Sequence, residues 1–212
     1  MDFQDFLSRI SKIEAETLLA EAAHRKMSPP ERMAVIESID METINPRKSA
    51  VMMLFYPKDS ETHLVLIVRN SYPGVHSSQI AFPGGKVEED DLSIEHAALR
   101  ETHEEIGVSP DKISVVRAFS QVYIPPSNYM VYPFLGYSHE ELVFNPDPSE
   151  VAGIIEFSLR EFLDERNIVT REMATSYSEA IMVPTFKINE HYVWGATAMM
   201  LSELKEILIK VL

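Results

Sequence analysis

The strongest constraint on the fold is a series of short apolar segments, each about the length of one strand, separated by turn residues and interrupted by one clear helix pattern. Strands are predicted over Ser49–Tyr56, His63–Arg69, Ile113–Val122, Met130–Tyr137, Val151–Phe157 and Ile181–Ile188. The helix pattern runs from Ser93, a favourable N-cap, to Glu105, and Gly107 follows as a stop signal. Further helices are predicted over 158–165 and 196–212. Strands and helices mixed in this order predict an α/β fold, with helices covering the faces of a sheet.

The first 48 residues precede these strands and carry helix signals. From Asp2 to about Lys26 the apolar residues recur at roughly helical spacing, which predicts one amphipathic helix. Ser28-Pro29-Pro30-Glu31 fits a capping box with Ser28 as N-cap and Pro29 first in the helix, so a second helix is expected to reach about Ser38. We therefore expect a helical extension over 1–48 and the main domain over 49–212. Whether the extension caps the sheet or forms a homodimer interface is left open by the residues.

Composition limits the chemistry of the chain. A length of 212 residues with 45% hydrophobic residues suits one domain with a sizeable core. The absence of cysteine excludes disulfides, thiolate nucleophiles and zinc-thiolate sites, so any metal must bind oxygen or imidazole. A net charge of -14 argues against a nucleic-acid partner. A negatively charged substrate would then require a bound dication or a local basic pocket.

The sequence predicts neither a membrane span nor a secretory signal. No apolar run approaches the roughly 20 residues needed to cross a bilayer. The N-terminal residues Met1-Asp2-Phe3-Gln4-Asp5 lack the basic and then apolar pattern of a signal peptide. We expect a cytoplasmic protein with no membrane partner.

Three carboxylates on the predicted helix point to a metal site. Glu101, Glu104 and Glu105 stand at positions i, i+3 and i+4, so all three side chains project from one face. Their mutual repulsion would be relieved by a hard dication such as Mg²⁺ or Mn²⁺, which prefers oxygen ligands. Arg100, four residues before Glu104, is expected to orient that carboxylate by a charge-assisted hydrogen bond.

An acidic helix face is ordinarily only a solvated surface, and the neighbouring residues decide between the two interpretations. Gly84 and Gly85, upstream of the helix, allow the backbone to pass close to a metal and offer a carbonyl oxygen. Arg100 immediately precedes the first Glu of the group, and Gly107 follows the last one. Together these residues favour a metal site built from a loop, a helix and a second loop.

The same residues resemble the Nudix box. That pattern is Gly, five residues, Glu, seven residues, Arg-Glu, an apolar residue, any residue, Glu-Glu, any residue, Gly and an apolar residue. The second half matches from Arg100 to Val108, with Thr102 in a nominally apolar place. The first half departs, because Gly85 and Arg100 are one residue further apart than usual and Asp91 stands where Glu is expected.

The longer spacing with an Asp is similar to the coenzyme A diphosphatase branch of the Nudix family. Three other segments resemble that branch: Gln79–Gly85, Asn145–Val151 and Tyr192–Ala198. The likeness extends from about Ser49 to about Leu208. The branch also carries an Arg eight residues and a Gly four residues before its Phe-Pro-Gly-Gly, and here these places hold Gly74 and Ser78.

The resemblance implies a fold, a reaction and a set of functional residues. The Nudix fold is a mixed β-sheet sandwiched between helices (α/β/α), and the reaction is hydrolysis of a nucleoside diphosphate linked to another group. Coenzyme A would give 4'-phosphopantetheine and adenosine 3',5'-bisphosphate. Mg²⁺ or Mn²⁺ would be held by Glu101, Glu104, Glu105 and the Gly85 carbonyl, with Glu101 either a ligand or the general base. Arg100 completes this catalytic set.

Four further residues are candidates for the functional site, and each could equally have a purely structural role. Glu150 is either a ligand or base from a later loop, or a solvated turn residue after Pro148. Arg69, Lys86 and Tyr123 are candidate contacts to the small-molecule nucleotide substrate, with Tyr123 able to stack on adenine. Two alternative functions also remain: a Nudix pyrophosphatase for another nucleotide (ADP-ribose, a dinucleotide polyphosphate or an oxidised nucleoside triphosphate), or a non-catalytic Nudix domain that senses a nucleotide.

Overall fold

The computed structural model describes residues 1–70, 79–173 and 180–212. The helices are α1 (Phe3–Leu7), α2 (Ile10–Ala15), α3 (Glu21–His24), α4 (Pro30–Glu37), α5 (Ile94–Ile106), α6 (Leu159–Leu163) and α7 (Gly195–Val211). The strands are β1 (Arg47–Lys58), β2 (Glu61–Arg69), β3 (Ile80–Ala81), β4 (Gly84–Lys86), β5 (Ser114–Ala118), β6 (Val122–Ile124), β7 (Tyr129–Tyr137), β8 (Val151–Ser158), β9 (Ile168–Met173), β10 (Ile181–Ile188) and β11 (His191–Val193). None of the helices in these ranges is long and apolar enough to span a membrane.

The strands form a mixed sheet with β1 at its centre. Strand β1 is parallel to β7 on one side and antiparallel to β2 and β4 on the other. Strand β2 also pairs with β3 and β8, and β7 pairs with β5 and β6. Strands β9, β10 and β11 form a separate antiparallel sheet. The α/β prediction of a mixed sheet between helices is confirmed.

Helices cover both faces of the main sheet because β1 and β2 are apolar on both faces. Along β1, Met52 and Leu54 point to the core beneath α5, whereas Met53 and Phe55 point to the opposite core. Successive side chains of a strand alternate between its faces, so a continuous apolar run indicates a strand that is buried on both. The second core contains residues of α1, α2, α6 and α7.

The N-terminal extension differs from the single helix that was predicted over residues 2–26. It consists of α1, α2 and α3 with breaks between them, followed by a short 3₁₀ turn over Arg25–Met27. The break before α3 lies at Ala20, whose φ is +46° and whose N–H donates to the buried carboxylate of Glu203 at 2.5 Å. Contacts with the sheet and with α7 therefore override the local periodicity, and Phe6 and Ile13 become fully buried.

Two local predictions are also corrected. Helix α4 begins at Pro30 with Pro29 as its N-cap, so Ser28 does not cap it and the predicted capping box is absent from this end. The predicted strand over 113–122 is two strands, β5 and β6, which pair with different parts of β7. Strands β3, β4, β9 and β11 were not predicted, because they are short or polar and are stabilised by pairing with neighbours.

Candidate active site

Helix α5 and strand β4 bring the predicted carboxylates and the glycine pair together. Ser93 caps the helix by accepting a hydrogen bond from the His96 N–H at 3.0 Å, and Gly107 ends it with a left-handed φ of +75°. Gly84 has a φ of +150°, and a side chain there would collide with the backbone of Ala50 and Val51. Glycine is required at this place because β4 lies directly against β1.

Glu105 is the most buried of the three carboxylates, with 1% of the residue exposed. Its Oε1 accepts a hydrogen bond from Arg69 at 3.0 Å, and its Oε2 accepts one from the Gly84 N–H at 2.7 Å. Burial raises the pKa of Glu105 to about 7, although Arg69 opposes the shift. The Glu105 carboxylate thus connects α5 to the end of β2 through Arg69, and to the glycine pair through the Gly84 amide.

Glu101 lies directly beside Gly85. A methyl group at Gly85 would be 2.6 Å from Oε1 of Glu101 and closer still to the other atoms of that carboxylate. Burial raises the pKa of Glu101 against the opposing effect of Arg100. Only glycine at position 85 leaves room for this carboxylate against the backbone of β4.

Arg100 connects the loop before α5 to the carboxylates of the helix. It donates two hydrogen bonds to Asp91 at 3.0 Å, and others to Glu101 at 3.0 Å, Glu104 at 2.8 Å and the carbonyl of Lys86 at 3.0 Å. The hydrogen bonds from Arg100 hold the pKa of Asp91 well below its usual range. The predicted contact with Glu104 is present, whereas the bidentate contact with Asp91 was not foreseen.

Glu104 and Glu150 are the exposed acidic residues of the group. The side chain of Glu104 is 57% exposed. Glu150 is also exposed, at the turn before β8, yet its negative charge helps to raise the pKa values of Glu101 and Glu105. Glu150 therefore lies at an exposed turn within electrostatic reach of Glu101 and Glu105, and its role as a ligand or base stays a prediction.

A cavity of about 350 Å³ opens beside the glycine pair, on the face of the sheet opposite α5. Its lining comes from α4, β1, the end of β2, β3, β4, β6, β7, the turn between β6 and β7, and the start of α7. The described lining residues are Arg32, Ser49, Val51, Arg69, Gln79, Ile80, Ala81, Phe82, Gly84, Gly85, Lys86, Ile124, Pro126, Tyr129, Val131, Trp194, Gly195, Ala196, Thr197 and Met200. The charged residues of this described lining are all cations: Arg32, Arg69 and Lys86. The chain as a whole carries a net charge of -14.

Two of the three candidate substrate contacts lie in the described lining of the cavity. Arg69 and Lys86 line the cavity, as expected of substrate contacts. Tyr123 does not belong to the described lining, and its hydroxyl donates to Asn128 Oδ1 at 3.0 Å, so its role as a stacking residue stays a prediction. The aromatic residues of the described lining are Phe82, Tyr129 and Trp194. Gly74 and Ser78, which replace the branch signature, lie outside the described residues.

Sequence reasoning missed two classes of cavity residue. Arg32 comes from the N-terminal extension, and no local pattern marks an arginine that will be buried. Trp194, Thr197 and Met200 come from the start of α7, which Thr197 ties to β3 by donating to the carbonyl of Ile80 at 2.9 Å. A signal existed for Trp194, since it is the sole tryptophan and lies within a segment that resembles the coenzyme A branch.

The donor chemistry of the site fits a hard dication. Glu101, Glu104 and Glu105 offer carboxylate oxygens, and the backbone at Gly85 is unobstructed by a side chain. Within the described ranges no three His, Asp or Glu side chains are already placed to hold a metal ion, and Arg100 and Arg69 form ion pairs with these carboxylates. Metal binding therefore requires the flexible ends of these side chains to reorient.

The geometry agrees with a match between residues 46–177 and the family model described as the NUDIX domain. This match covers more than half of the chain, and the chain belongs to the Nudix domain family. The matched range begins at the start of β1 and thus excludes α1 to α4, as well as α7.

Relatives and solved structures are consistent with this membership. Nudix hydrolase 15, mitochondrial, from Arabidopsis thaliana is 30% identical over 76% of this chain and 58% of its own length. The uncharacterized Nudix hydrolase NudL of Escherichia fergusonii is 30% identical over 78% of this chain and 85% of its own length. The chain spans just over half of the two Arabidopsis relatives that it matches, 58% and 56%. A MutT/nudix family protein from Enterococcus faecalis shares the fold, with a TM-score of 0.53, 18% identity and coverage of 91% of this chain and 76% of that one.

Proposed function

We propose that this chain hydrolyses the pyrophosphate linkage of a nucleotide derivative, and that coenzyme A is the leading candidate for its substrate. The observation that carries the proposal is the cationic cavity of an acidic protein, which opens at Gly84 and Gly85 beside the half-buried carboxylate of Glu101 and the buried one of Glu105. Charges of one sign within a low-dielectric cleft raise the local concentration of oppositely charged ligands. A phosphate-bearing substrate is thus attracted to the point where the carboxylates could hold a metal.

Besides Gln79–Gly85, which lines the cavity, two other segments that resemble the coenzyme A branch lie at this site. In the first, the Asn145 N–H donates to the carbonyl of Ile106 at 3.0 Å and the Asp147 N–H donates to that of Glu105 at 3.0 Å. This loop therefore satisfies carbonyls at the end of α5 and leads to Glu150. In the second, Trp194 lines the cavity. Their location supports coenzyme A, which would give 4'-phosphopantetheine and adenosine 3',5'-bisphosphate.

The residues of the site have separable roles in this proposal. Mg²⁺ or Mn²⁺, when bound, would neutralise the phosphates and lower the pKa of a bound water. Glu104, Glu105, Glu101 and the Gly85 carbonyl would hold it, with Glu101 otherwise available as the base. Arg100 orients Glu101 and Glu104 through its fixed contact with Asp91.

Product analysis tests the proposal. Purified protein is incubated with Mg²⁺ or Mn²⁺ and with coenzyme A, acyl-coenzyme A, ADP-ribose, dinucleotide polyphosphates and nucleoside triphosphates, and the products are separated by chromatography. Preferred cleavage of coenzyme A to adenosine 3',5'-bisphosphate is expected. Preference for another compound would retain the pyrophosphatase reaction and reject coenzyme A. No turnover of any compound would favour a domain that binds a nucleotide without cleaving it.

A further inference from the structure

Arg32 is an unexpected part of the cavity, because it belongs to α4 and lies outside the range that matches the Nudix domain. Only 5% of the residue is exposed, and one Nη donates to the carbonyl of Tyr123 at 2.7 Å. A guanidinium carries five N–H donors in a planar fork, so this backbone contact is compatible with binding an oxyanion as well. The N-terminal extension thus contributes a buried positive charge to the cavity.

The other two cations of the described lining have different positions. Arg69 is paired with Glu105 at 3.0 Å and belongs to the end of the cavity beside the glycine pair. Lys86 is exposed at the edge of β4. Arg32 is held at the other end, against β6, by its contact with Tyr123. The cavity therefore has separate positive charges at its two ends.

The strand register gives the separation of these ends. Val122 of β6, Val131 of β7, Ser49 of β1 and Lys86 of β4 are successive partners in one row across the sheet. Three strand spacings of about 4.8 Å place the β6 and β4 backbones roughly 14 Å apart. Apolar and aromatic side chains, including Tyr129, line the cavity between them. The ribose of a nucleotide with 3'- and 5'-phosphates could lie in this interval, with one phosphate toward each end and the base against the apolar lining.

We propose that Arg32 is a specificity-determining residue that binds a phosphate group carried by the substrate in addition to its pyrophosphate. This inference rests on the proposed function for the identity of the substrate, and it adds the N-terminal extension to the recognition of that substrate. A second phosphate distinguishes coenzyme A, with its 3'-phosphate, from nucleotides that carry only the pyrophosphate. The cationic end formed by Arg32 would compensate for the residues Gly74 and Ser78 at the signature positions of the branch.

Trp194 supplies a binding assay that needs neither metal nor turnover. It is the sole tryptophan of the chain and lines the cavity, so its fluorescence reports a ligand bound there. The probes are adenosine 3',5'-bisphosphate and adenosine 5'-monophosphate, which differ by one phosphate. The wild type should bind the bisphosphate at least tenfold more tightly, because a hydrogen bond to a charged group is worth roughly tenfold to a hundredfold in Kd.

Substitution of Arg32 separates recognition from packing. Arg32→Gln should reduce the preference for the bisphosphate to about twofold or less, with little change for the monophosphate. Arg47→Gln is a matched control. Like Arg32, Arg47 donates to a backbone carbonyl, that of Ser127 in the turn after β6 at 2.8 Å, but it does not belong to the described lining. It should retain the full preference. If Arg32→Gln does not fold, the ratio measured for Arg32→Lys decides, because a point charge should keep only part of the preference.

Three outcomes would overturn the role of Arg32: a wild type without preference, an Arg32→Gln variant that keeps it, or an equal loss for both ligands, which indicates packing alone. A turnover comparison of coenzyme A with coenzyme A lacking its 3'-phosphate separates this inference from the proposed function. Arg32→Gln should lose the preference for coenzyme A over the compound without the 3'-phosphate, and the loss should appear as a higher KM for coenzyme A. If the wild type cleaves coenzyme A and Arg32→Gln keeps the same preference for the 3'-phosphate, only the inference about Arg32 is refuted. A wild type that cleaves neither compound but prefers the bisphosphate through Arg32 refutes only the proposed function.

Discussion

Substitution of Gly85 by alanine tests the close contact between Gly85 and the Glu101 carboxylate in the candidate site. The new methyl group would lie 2.6 Å from Oε1 of Glu101 and closer to its Cδ and Oε2. Non-bonded heavy atoms are ordinarily about 3.5–4.0 Å apart, so the carboxylate must retreat by about 1 Å. The colliding atoms are the end of a flexible side chain, and the backbone of Gly85 has no left-handed φ, so the cost to folding should be small.

Catalysis should suffer much more than stability. A displacement of about 1 Å in a catalytic constellation can cost about 100-fold in rate. We expect Gly85→Ala to reduce kcat/KM about 100-fold for the substrate that product analysis identifies, and to raise the Mg²⁺ concentration needed for half-maximal activity. Its free energy of unfolding in urea should change by less than about 1 kcal/mol. The assay is chromatography of the products over a Mg²⁺ titration.

Gly153→Ala provides the matched control. Gly153 also lies in a strand of the main sheet, but its added methyl group would meet only Val68 Cγ2 at an ordinary 3.9 Å. This variant should keep full activity and stability. Wild-type activity and metal dependence in Gly85→Ala would refute the assignment of Glu101 and the Gly85 backbone to one metal-binding site. An equal loss in both variants would show a general effect of alanine on the sheet.

Three other perturbations have definite expected results. Glu104→Gln and Glu105→Gln should each abolish most turnover while the circular dichroism spectrum stays native. The free energy of unfolding should change by less than about 0.5 kcal/mol for the exposed Glu104 and by about 1–3 kcal/mol for the buried Glu105. A variant of either kind that keeps wild-type kcat would remove that residue from the site. Excess EDTA should abolish turnover until Mg²⁺ or Mn²⁺ is restored, and activity that survives EDTA would contradict the metal mechanism. Stability should fall in acid through Glu203. Burial raises its pKa, but hydrogen bonds from Ser120 and Ala20, together with the nearby His24 ring at 3.7 Å, outweigh this and hold the pKa below its usual value. This contribution is present above the unfolded pKa of about 4.3 and is lost as pH falls through the lower folded pKa; Glu203→Gln should flatten that acid dependence in urea unfolding, and an unchanged slope would exclude Glu203 as its source.

The sequence predicted those parts of the fold whose signals are local. The apolar runs at 49–56 and 63–69 became the two central strands β1 and β2, because an apolar run of strand length favours burial on both faces. Ser93 and Gly107 bounded α5 correctly, since capping satisfies backbone groups within a few residues. The spacing of Glu101, Glu104 and Glu105 likewise follows from helix geometry alone.

Other features depended on residues far apart in the chain. The helix predicted over 2–26 was broken because contacts with the sheet and with α7 outweighed its periodicity, and the turn at Ala20 is held by Glu203, 183 residues away. Strand β4 exists because it pairs with β1, and neither glycine in it has a local preference for a strand.

The candidate site shows the same division. The sequence by itself determined which carboxylates share a helix face and that glycines precede them, because covalent connection and helical period fix these relations. Only the tertiary structure decided that Glu105 is buried against Arg69, that Tyr129 and Trp194 line the cavity, and that Arg32 enters it from the N-terminal extension. Burial and charge environment are sums over neighbours brought together by packing, and no local pattern of residues contains them.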